Sequence, residues 1–458
     1  MFDCAATYGN ISINQAVHQG PDLTNKLIGV LLRFREKPIA MIADVQAMYH
    51  QVRVTPAHRD VLRFLWFDGD KIATYRMCVH LFGGIWSASV ASYALKRTAH
   101  DHSHMFDSGV VDAVINNFYV DDLLQSVDSD DEAVEMADQL RRLLSLRGFN
   151  LTKWTSNSRR LIQSIPEEHR AKEIQKIDID YGDLPRERAL GVSWMIQEDV
   201  LALSIGMKQP VMTKRGLISM YSSVYDPLGI VAPYVLIARI LYRQECSLDK
   251  HWDDALEPVT IRKFERWLDQ LEGMKEVSVP RCVAAPDMTD VAAIQLHFFC
   301  DASEEAYAAV CYVRIALNDG TVHCSFLFGK SRLAPLQTRS IPRLELMAAV
   351  LAVEIYLMIK IEIRMPVDGV FFWSDSTCVL YCIRNKALRL KSFTARRIAN
   401  IHQVTDPEQW FHVPTDLNPA DCATRGTNKL SEWLDGPAFM REGDVDFLCR
   451  CRGIRCFR

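Results

Sequence analysis

The chain has 458 residues, 49% hydrophobic and 24% charged, which is too apolar for a disordered protein and enough for cores in two to four domains of about 100–200 residues. Its 53 Lys+Arg against 57 Asp+Glu give a net charge of -4, so no whole-chain basic field points to nucleic acid, and the sum by itself counts against that partner. The 13 cysteines lie irregularly without zinc-ligand spacing, and no charged segment followed by an apolar one opens the chain, so reduced thiols in an intracellular protein are expected. The longest apolar stretches, 231–242 and 346–359, are broken by Arg239 or Glu354 and are too short to span a membrane.

In chain order, Ile39 to Val45 reads as a short strand carrying Asp44 at its end, and Gln51 to Val54 resumes extended patterning. A helix is expected from about Ser87 to His100. Asn117 to Gln125 reads as two strand ends around Asp121 and Asp122, and Asp130 to Leu146 as an amphipathic helix that Gly148 ends. The order is that of a split βαββαβ unit, which sets acidic groups on adjacent central strands. Proline and charge thicken from about Trp252 to Asp290, a linker or an insertion, after which Ile294 to Phe299 leads into Asp301; the main boundary is expected near residue 290. Charge is unevenly spread: residues 101–150 hold 11 acidic and 3 basic side chains, and residues 384–397 hold 6 basic and none acidic. The near-neutral total therefore averages opposed regions.

Paired carboxylates at a strand turn repel unless a cation neutralises them, and a hard divalent ion answers that need. An isolated Asp-Asp pair is most often a turn cap, so context decides. The stretches Met41-Ile42-Ala43-Asp44-Val45-Gln46-Ala47-Met48-Tyr49, His80-Leu81-Phe82-Gly83-Gly84-Ile85-Trp86-Ser87, Tyr119-Val120-Asp121-Asp122 and Leu151-Thr152-Lys153-Trp154 resemble, in order, the palm motifs of reverse transcriptases. In detail they resemble the Pol polyprotein of BEL/Pao-type LTR retrotransposons. The resemblance implies that Asp44, Asp121 and Asp122 are catalytic metal ligands, with Tyr119 part of the YxDD element. It implies that Tyr49 lies under the incoming sugar and excludes a 2′-hydroxyl, that Phe82 and Gly83 line the nucleotide pocket, and that Lys153 protonates the pyrophosphate leaving group. Ala189-Leu190-Gly191-Val192 resembles the hairpin gripping the primer end, and Thr213-Lys214-Arg215 through Arg243 resembles the thumb, where residues 201–250 carry 6 basic and 3 acidic side chains suited to a duplex backbone. Two departures stand out: Ser87-Ala88 replaces the usual Ser-Pro, and Phe2-Asp3-Cys4-Ala5-Ala6 resembles the end of the fingers, so the earlier finger strands are expected to be missing and polymerisation weaker than RNA cleavage.

A second set of carboxylates follows in the C-terminal third. Asp301 ends an apolar strand, Glu345 heads an apolar helix, Asp375 follows Val370-Phe371-Phe372-Trp373-Ser374, and Asp421 lies in Asn418-Pro419-Ala420-Asp421. Each alone is weak evidence, since a strand-end Asp is usually a cap. Together they resemble the RNase H domain that follows reverse transcriptase in retroelements. The resemblance implies that Asp301, Glu345, Asp375 and Asp421 hold metal and cut the RNA strand of a hybrid. Ser376, Thr377, Asn385 and the basic residues Arg384, Lys386, Arg389, Lys391, Arg396 and Arg397 are expected to meet phosphates and 2′-hydroxyls. Plainer readings stay open for single residues: a core aromatic for Tyr49, a surface lysine for Lys153, a structural His412, and solvated helix faces for the basic runs.

The expected architecture is a multidomain α+β chain: a ferredoxin-like reverse-transcriptase palm over 1–204, a helical thumb and connection over 205–290, an RNase H-like mixed sheet with flanking helices over 291–436, and an irregular tail over 437–458 containing Cys449, Cys451 and Cys456. The resemblance implies Mg²⁺ or Mn²⁺, two ions per site, and as partners an RNA template, a DNA primer, RNA/DNA hybrid and dNTPs, with no membrane. It implies an intracellular place, a cytoplasmic retroelement particle or the nucleus. Two other readings stand beside it: a truncated or host-retained nucleic-acid-binding relic that does not polymerise, and, more remotely, an aspartic peptidase on Asp107-Ser108-Gly109.

Overall fold

The computed structural model of the chain describes residues 3–179, 182–206, 209–284, 288, 290–336, 340–385 and 389–442; Phe2, Lys386 and the cysteines at 449, 451 and 456 lie outside them. The chain divides after Pro185 into two compact units. The palm end expected at residue 204 and the boundary expected near 290 are both displaced, because the hairpin after Pro185 and the whole expected thumb and linker fold with the second unit.

In the first unit, α1 (Leu27–Phe34) precedes β1 (Ile39–Val45), and a hairpin of β2 (Arg63–Asp68) and β3 (Lys71–Arg76) leads to α2 (Ser87–Asp101) and α3 (Ser108–Asn116). β4 (Phe118–Tyr119), β5 (Asp122–Val127), α4 (Asp130–Ser145) and β6 (Leu151–Ser156) follow. The sheet runs β4-β5-β1-β6, with every pair antiparallel. Ala133, Met136, Ala137, Leu140 and Leu144 recur at helical spacing along α4 and bury with Met41, Ala43, Val45, Leu123 and Val127 of the sheet and Ala91 and Leu95 of α2. Part of the acidic stretch is explained locally. Asp130, Asp131 and Glu132 occupy the first turn of α4, where Ser129 caps the Glu132 N–H and the helix dipole favours negative charge. Residues 52–54 are extended as expected and pair antiparallel with 78–80, the Val54 N–H donating to Cys78 O at 2.9 Å and the His80 N–H to Val52 O at 3.0 Å, between 3₁₀ turns at Met48–Gln51 and Pro56–Leu62.

The second unit opens with a hairpin, β7 (Arg186–Ala189) and β8 (Val192–Met195), turning through Leu190 and Gly191 at positive φ, the backbone a two-residue type I′ turn requires. It continues through β9 (Val200–Ala202), α5 (Lys214–Tyr221), α6 (Ala232–Cys246), α7 (Pro258–Leu271) and β10 (Ser278–Pro280). The expected linker is thus core structure. Pro258 starts α7, which buries Phe264, Trp267 and Leu271 and turns its charges outward, and β10 pairs with β9 in a sheet of order β10-β9-β8-β7. Fully buried Arg281 grips Asp199 through both oxygens at 2.6 and 2.7 Å.

The main sheet of this unit contains β11 (Val291–Ala302), β12 (Ala306–Leu317), β13 (Val322–Leu333), β14 (Gly369–Ser374) and β15 (Trp410–His412) in the order β13-β12-β11-β14-β15. The first three are antiparallel, while β14 and β15 run parallel to β11. The helix α8 (Ile341–Glu362) lies between β13 and β14 in the chain, followed by α9 (Thr377–Arg384) and α10 (Ser392–His402).

A short loop fastens the expected thumb to this sheet. Asp226 accepts the N–H groups of Ile230 and Val231, both at 2.8 Å, where α6 begins. Gly229 sits at φ +80, and a Cβ there would collide with the carbonyl of Gly329 on β13. The Gly329 N–H donates to Leu228 O at 2.9 Å, and the buried Trp433 indole donates to Gly229 O at 2.9 Å while covering Gly329. Gly229→Ala is therefore expected to lower unfolding free energy by about 3 kcal/mol, combining a left-handed backbone with overpacking; urea denaturation checks it.

Candidate functional site

Asp301 lies at the end of β11 and Asp375 follows β14, the parallel neighbour in which Cys300 stands beside Ser374. Glu345 projects from the beginning of α8. One carboxylate oxygen from each of the three lies within 4.8 Å of the others. Burial and then the Asp375 charge push Asp301 up to about 6, and burial followed by the Asp375 and Asp301 charges pushes Glu345 up to about 8. Asp375 Oδ1 and Glu345 Oε2 are buried without a hydrogen-bond partner. Three crowded acids with orphaned oxygens, and an all-oxygen donor set, suit a hard divalent ion. Thr424 Oγ1 donates to Asp301 Oδ2 and Thr415 Oγ1 to Asp375 Oδ2, each at 2.8 Å.

The fourth expected acid stands apart from this set. Asp421 ends a 3₁₀ turn and pairs with Arg425 at 2.9 Å, yet its charge still reaches Asp301 and raises that carboxyl. Buried Asn418 holds the turn against the sheet, donating to Cys300 O at 3.1 Å and accepting the Ala420 N–H. Ser376 caps α9 by accepting the Val379 N–H and lowers Glu345 by hydrogen bonding, so it serves the acids as well as any substrate.

In the first unit the strand register sets Asp44 opposite Asp122, and the Val45 N–H donates to Asp121 O at 2.9 Å. Between the strands Val120 takes φ +58, a left-handed backbone that a β-branched residue adopts only under strain. Burial first, then the Asp44 charge, raises the Asp121 carboxyl, and Lys153 counters this. Lys153 Nζ donates to Asp44 Oδ2 at 3.0 Å from a residue at φ +56. Among the described residues these acids do not close to the spacing of the second-unit triad; Asp44 is engaged by the ammonium instead. Half-buried Tyr49 meets the exposed Phe82 ring edge-on at 4.7 Å, and Gly83 takes φ +93, which needs glycine. Tyr119 is half-buried opposite Asp122.

Residues 213–376 match the family model of the Pao retrotransposon-like RNaseH-like domain. Over that span the chain is similar to a Pao-type RNaseH-like domain. That match includes Asp301, Glu345 and Asp375 and begins with α5, in accord with the way Gly229 and Gly329 join the α5–α6 region to the Pao-type sheet. No curated protein matches the sequence. Among solved structures, a foamy viral protease-reverse transcriptase in complex with double-stranded DNA is similar with a TM-score of 0.55 at 12% identity, over 88% of this chain and 62% of that one. A second, the foamy viral enzyme in complex with RNA/DNA hybrid, has a TM-score of 0.52 at 12% identity over 88% and 48%. The chain thus spans less than two thirds of the length of either, and the likeness is one of α+β fold alone.

The basic residues expected on the thumb are largely occupied within the unit that holds the Pao-type domain. Lys214 is buried and donates to Leu248 O and Lys250 O, Arg215 pairs with Asp253, Arg243 with Glu305, and Lys250 with Glu257. They complete carbonyls and carboxylates of the fold rather than forming a free phosphate track. Arg389 and Lys391 are exposed just before α10. Asp107-Ser108-Gly109 is the start of α3, with Asp107 Oδ2 accepting from Gln139 at 2.6 Å. Asn14 escaped notice in the sequence: it donates to Gly83 O at 3.0 Å and accepts the Ile85 N–H at 3.1 Å, clamping the Phe82–Ile85 loop. Thr415, Thr424 and Arg425 were also missed, since their partners lie 40, 123 and 4 residues away and no local pattern marks the first two.

The raised acids carry a stability signature. The folded chain holds protons on Asp301 and Glu345 at pH values where the unfolded chain has released them, so folded-state stability falls as pH rises from about 4.5 towards 8. Thermal melts of metal-free protein should shift downward over that interval, and Mg²⁺ should flatten the dependence by replacing the protons. The Glu345→Gln variant should show a smaller pH shift than the unaltered chain.

Proposed function

We propose that this is a retroelement nucleic-acid-processing enzyme whose Pao-type domain hydrolyses the RNA strand of RNA/DNA hybrids. The observation carrying the proposal is the convergence of Asp301, Glu345 and Asp375 with buried, unpartnered carboxylate oxygens. These three, with Asp421 beside them, would hold Mg²⁺ or Mn²⁺, two ions on the two-metal reading. Bound ions supply a polarised phosphodiester and a nucleophilic water at neutral pH. The protein's own contributions are to orient the carboxylates through the Thr415, Thr424 and Ser376 hydroxyls, of which those of Thr424 and Ser376 counter the upward push on Asp301 and Glu345, and to meet backbone phosphates with Arg389 and Lys391, which read duplex shape rather than sequence. End-labelled RNA in a hybrid with DNA should be cut in Mg²⁺ or Mn²⁺, while the same RNA in an RNA duplex stays intact; equal cutting of both would refute hybrid specificity.

A second activity, RNA-directed DNA polymerisation in the first unit, is favoured by the register that brings Asp44 and Asp122 together beside Asp121. On this reading Asp44, Asp121 and Asp122 hold the metal ions, Tyr49, Phe82, Gly83 and Tyr119 shape the nucleotide site, and Lys153 passes from Asp44 to the leaving pyrophosphate. Incorporation of dNTPs on a primed RNA template, lost in Asp121→Asn, tests it. Retained template binding without incorporation would instead favour the relic reading.

A further inference from the structure

We propose that Thr424 and Thr415 are positioning residues of the triad, each hydroxyl pinning one oxygen of an aspartate so that the carboxylate is held ready for a divalent ion. This rests on the metal-centre reading above and deepens it. Thr424 is fully buried and its hydroxyl faces two acceptors, Asp301 Oδ2 at 2.8 Å and Asp421 O at 3.0 Å, of which the shorter contact is to the aspartate side chain; its own carbonyl accepts from Ser303 Oγ at 2.8 Å, which ties the 422–425 turn to the strand end carrying Asp301. Thr415 begins the 3₁₀ turn 415–417 and donates to Asp375 Oδ2 at 2.8 Å, while Asp375 Oδ1 is buried and has no hydrogen-bond partner. One oxygen of Asp375 is therefore spoken for and the other is left over.

The physical need is clear in the absence of an ion. Three like charges within 4.8 Å repel, and a carboxylate is free to rotate about its terminal torsion unless something holds it. A hydroxyl donor fixes the plane and favours the ionised form, which is the form that binds metal. Hydrogen-bond partners of metal-binding side chains act in this way, and their removal typically weakens metal affinity about 10–100-fold. Both donors come from the segment between β15 and the end of the described chain, so the folded strap 413–425 sets the orientation of acids carried by β11 and β14.

The test uses the full chain and Mn²⁺, with free ion followed by electron paramagnetic resonance, for the unaltered protein and for Thr424→Val, Thr424→Ser, Thr415→Val, Thr415→Ser and Asp375→Asn. Each valine variant should bind Mn²⁺ about 10–100-fold more weakly, and each serine variant should bind like the unaltered chain. Melting in EDTA reports folding independently of the ion. If a valine variant melts early there, Ala and Ser at the same position decide, since they differ by the hydroxyl alone; equal affinity of those two overturns the proposal. Valine variants that bind like the unaltered protein, or serine variants that lose as much as valine, also overturn it. If Asp375→Asn binds Mn²⁺ as the unaltered chain does, the metal centre fails and the positioning role fails with it. Loss in Asp375→Asn with no loss in the threonine variants refutes the positioning role alone.

Discussion

Asp375→Asn is expected to reduce hybrid cleavage by about a thousandfold or more while leaving hybrid binding in EDTA within a small factor of the unaltered protein. Asparagine keeps the shape and can still accept from Thr415, so the fold has no reason to move. What is lost is one negative charge and one anionic oxygen at the centre of the triad. Losing several kcal/mol of transition-state charge stabilisation corresponds to about 10³-fold, at 1.36 kcal/mol per decade. The substitution also removes the largest charge acting on both Asp301 and Glu345, so both carboxyls should fall back towards their ordinary range. A pH titration followed by NMR would show that second effect even in a protein that cuts nothing. Cleavage at the unaltered rate would remove Asp375 from the site.

Trp433→Ala is expected to cost about 4 kcal/mol of unfolding free energy. Its side chain is fully buried, packs on Phe326 at a ring distance of 6.0 Å and covers the face of Gly329. Truncating a buried tryptophan typically costs about 3–5 kcal/mol, and the Gly229 carbonyl loses its indole donor as well. Against a typical total of about 5–15 kcal/mol, that is enough to leave a sizeable unfolded fraction at physiological temperature. Trp252, half exposed at 51%, should cost well under that when truncated. Urea denaturation of the two variants separates the cases; equal small losses would mean that the 226–231 loop is not bound into the sheet as described.

The carboxylates were legible because their signals are local. An apolar run with an acid at or just past its end, as at Ile39–Val45 and Val370–Ser374, reads as a strand, and these runs and the one at 130–145 fold as their patterning predicts. The span 252–290 reads as a linker or insertion from its proline and charge, yet it folds as a helix and a strand. Pro258 and the charges Arg262, Lys263, Glu265, Arg266 and Asp269 lie on α7, whose Phe264, Trp267 and Leu271 fall at helical spacing, while Pro280 lies on β10, and that periodicity is the better guide. For the thumb lysines and arginines, sequence alone leaves the partner open. A basic side chain looks the same in sequence whether it faces a phosphate or, like Lys214, donates to the carbonyls of Leu248 and Lys250.

Read alone, the amino-acid order was sufficient to put the acids of the second set at strand ends and a helix start and Asp44 near the end of its strand, and for the resemblance to a retroelement family. Those properties depend on neighbours within a few residues, where backbone geometry and side-chain period leave few choices. Tertiary structure alone decided that Asp301, Glu345 and Asp375 converge while Asp421 turns to Arg425, that Lys153 lies on Asp44, and that Thr415, Thr424 and Asn14 serve as clamps. It also decided that the loop at Gly229 is buried against Gly329 and Trp433. Most of these contacts join residues far apart in the chain, and their formation depends on how whole surfaces fit together, which no short stretch of residues encodes.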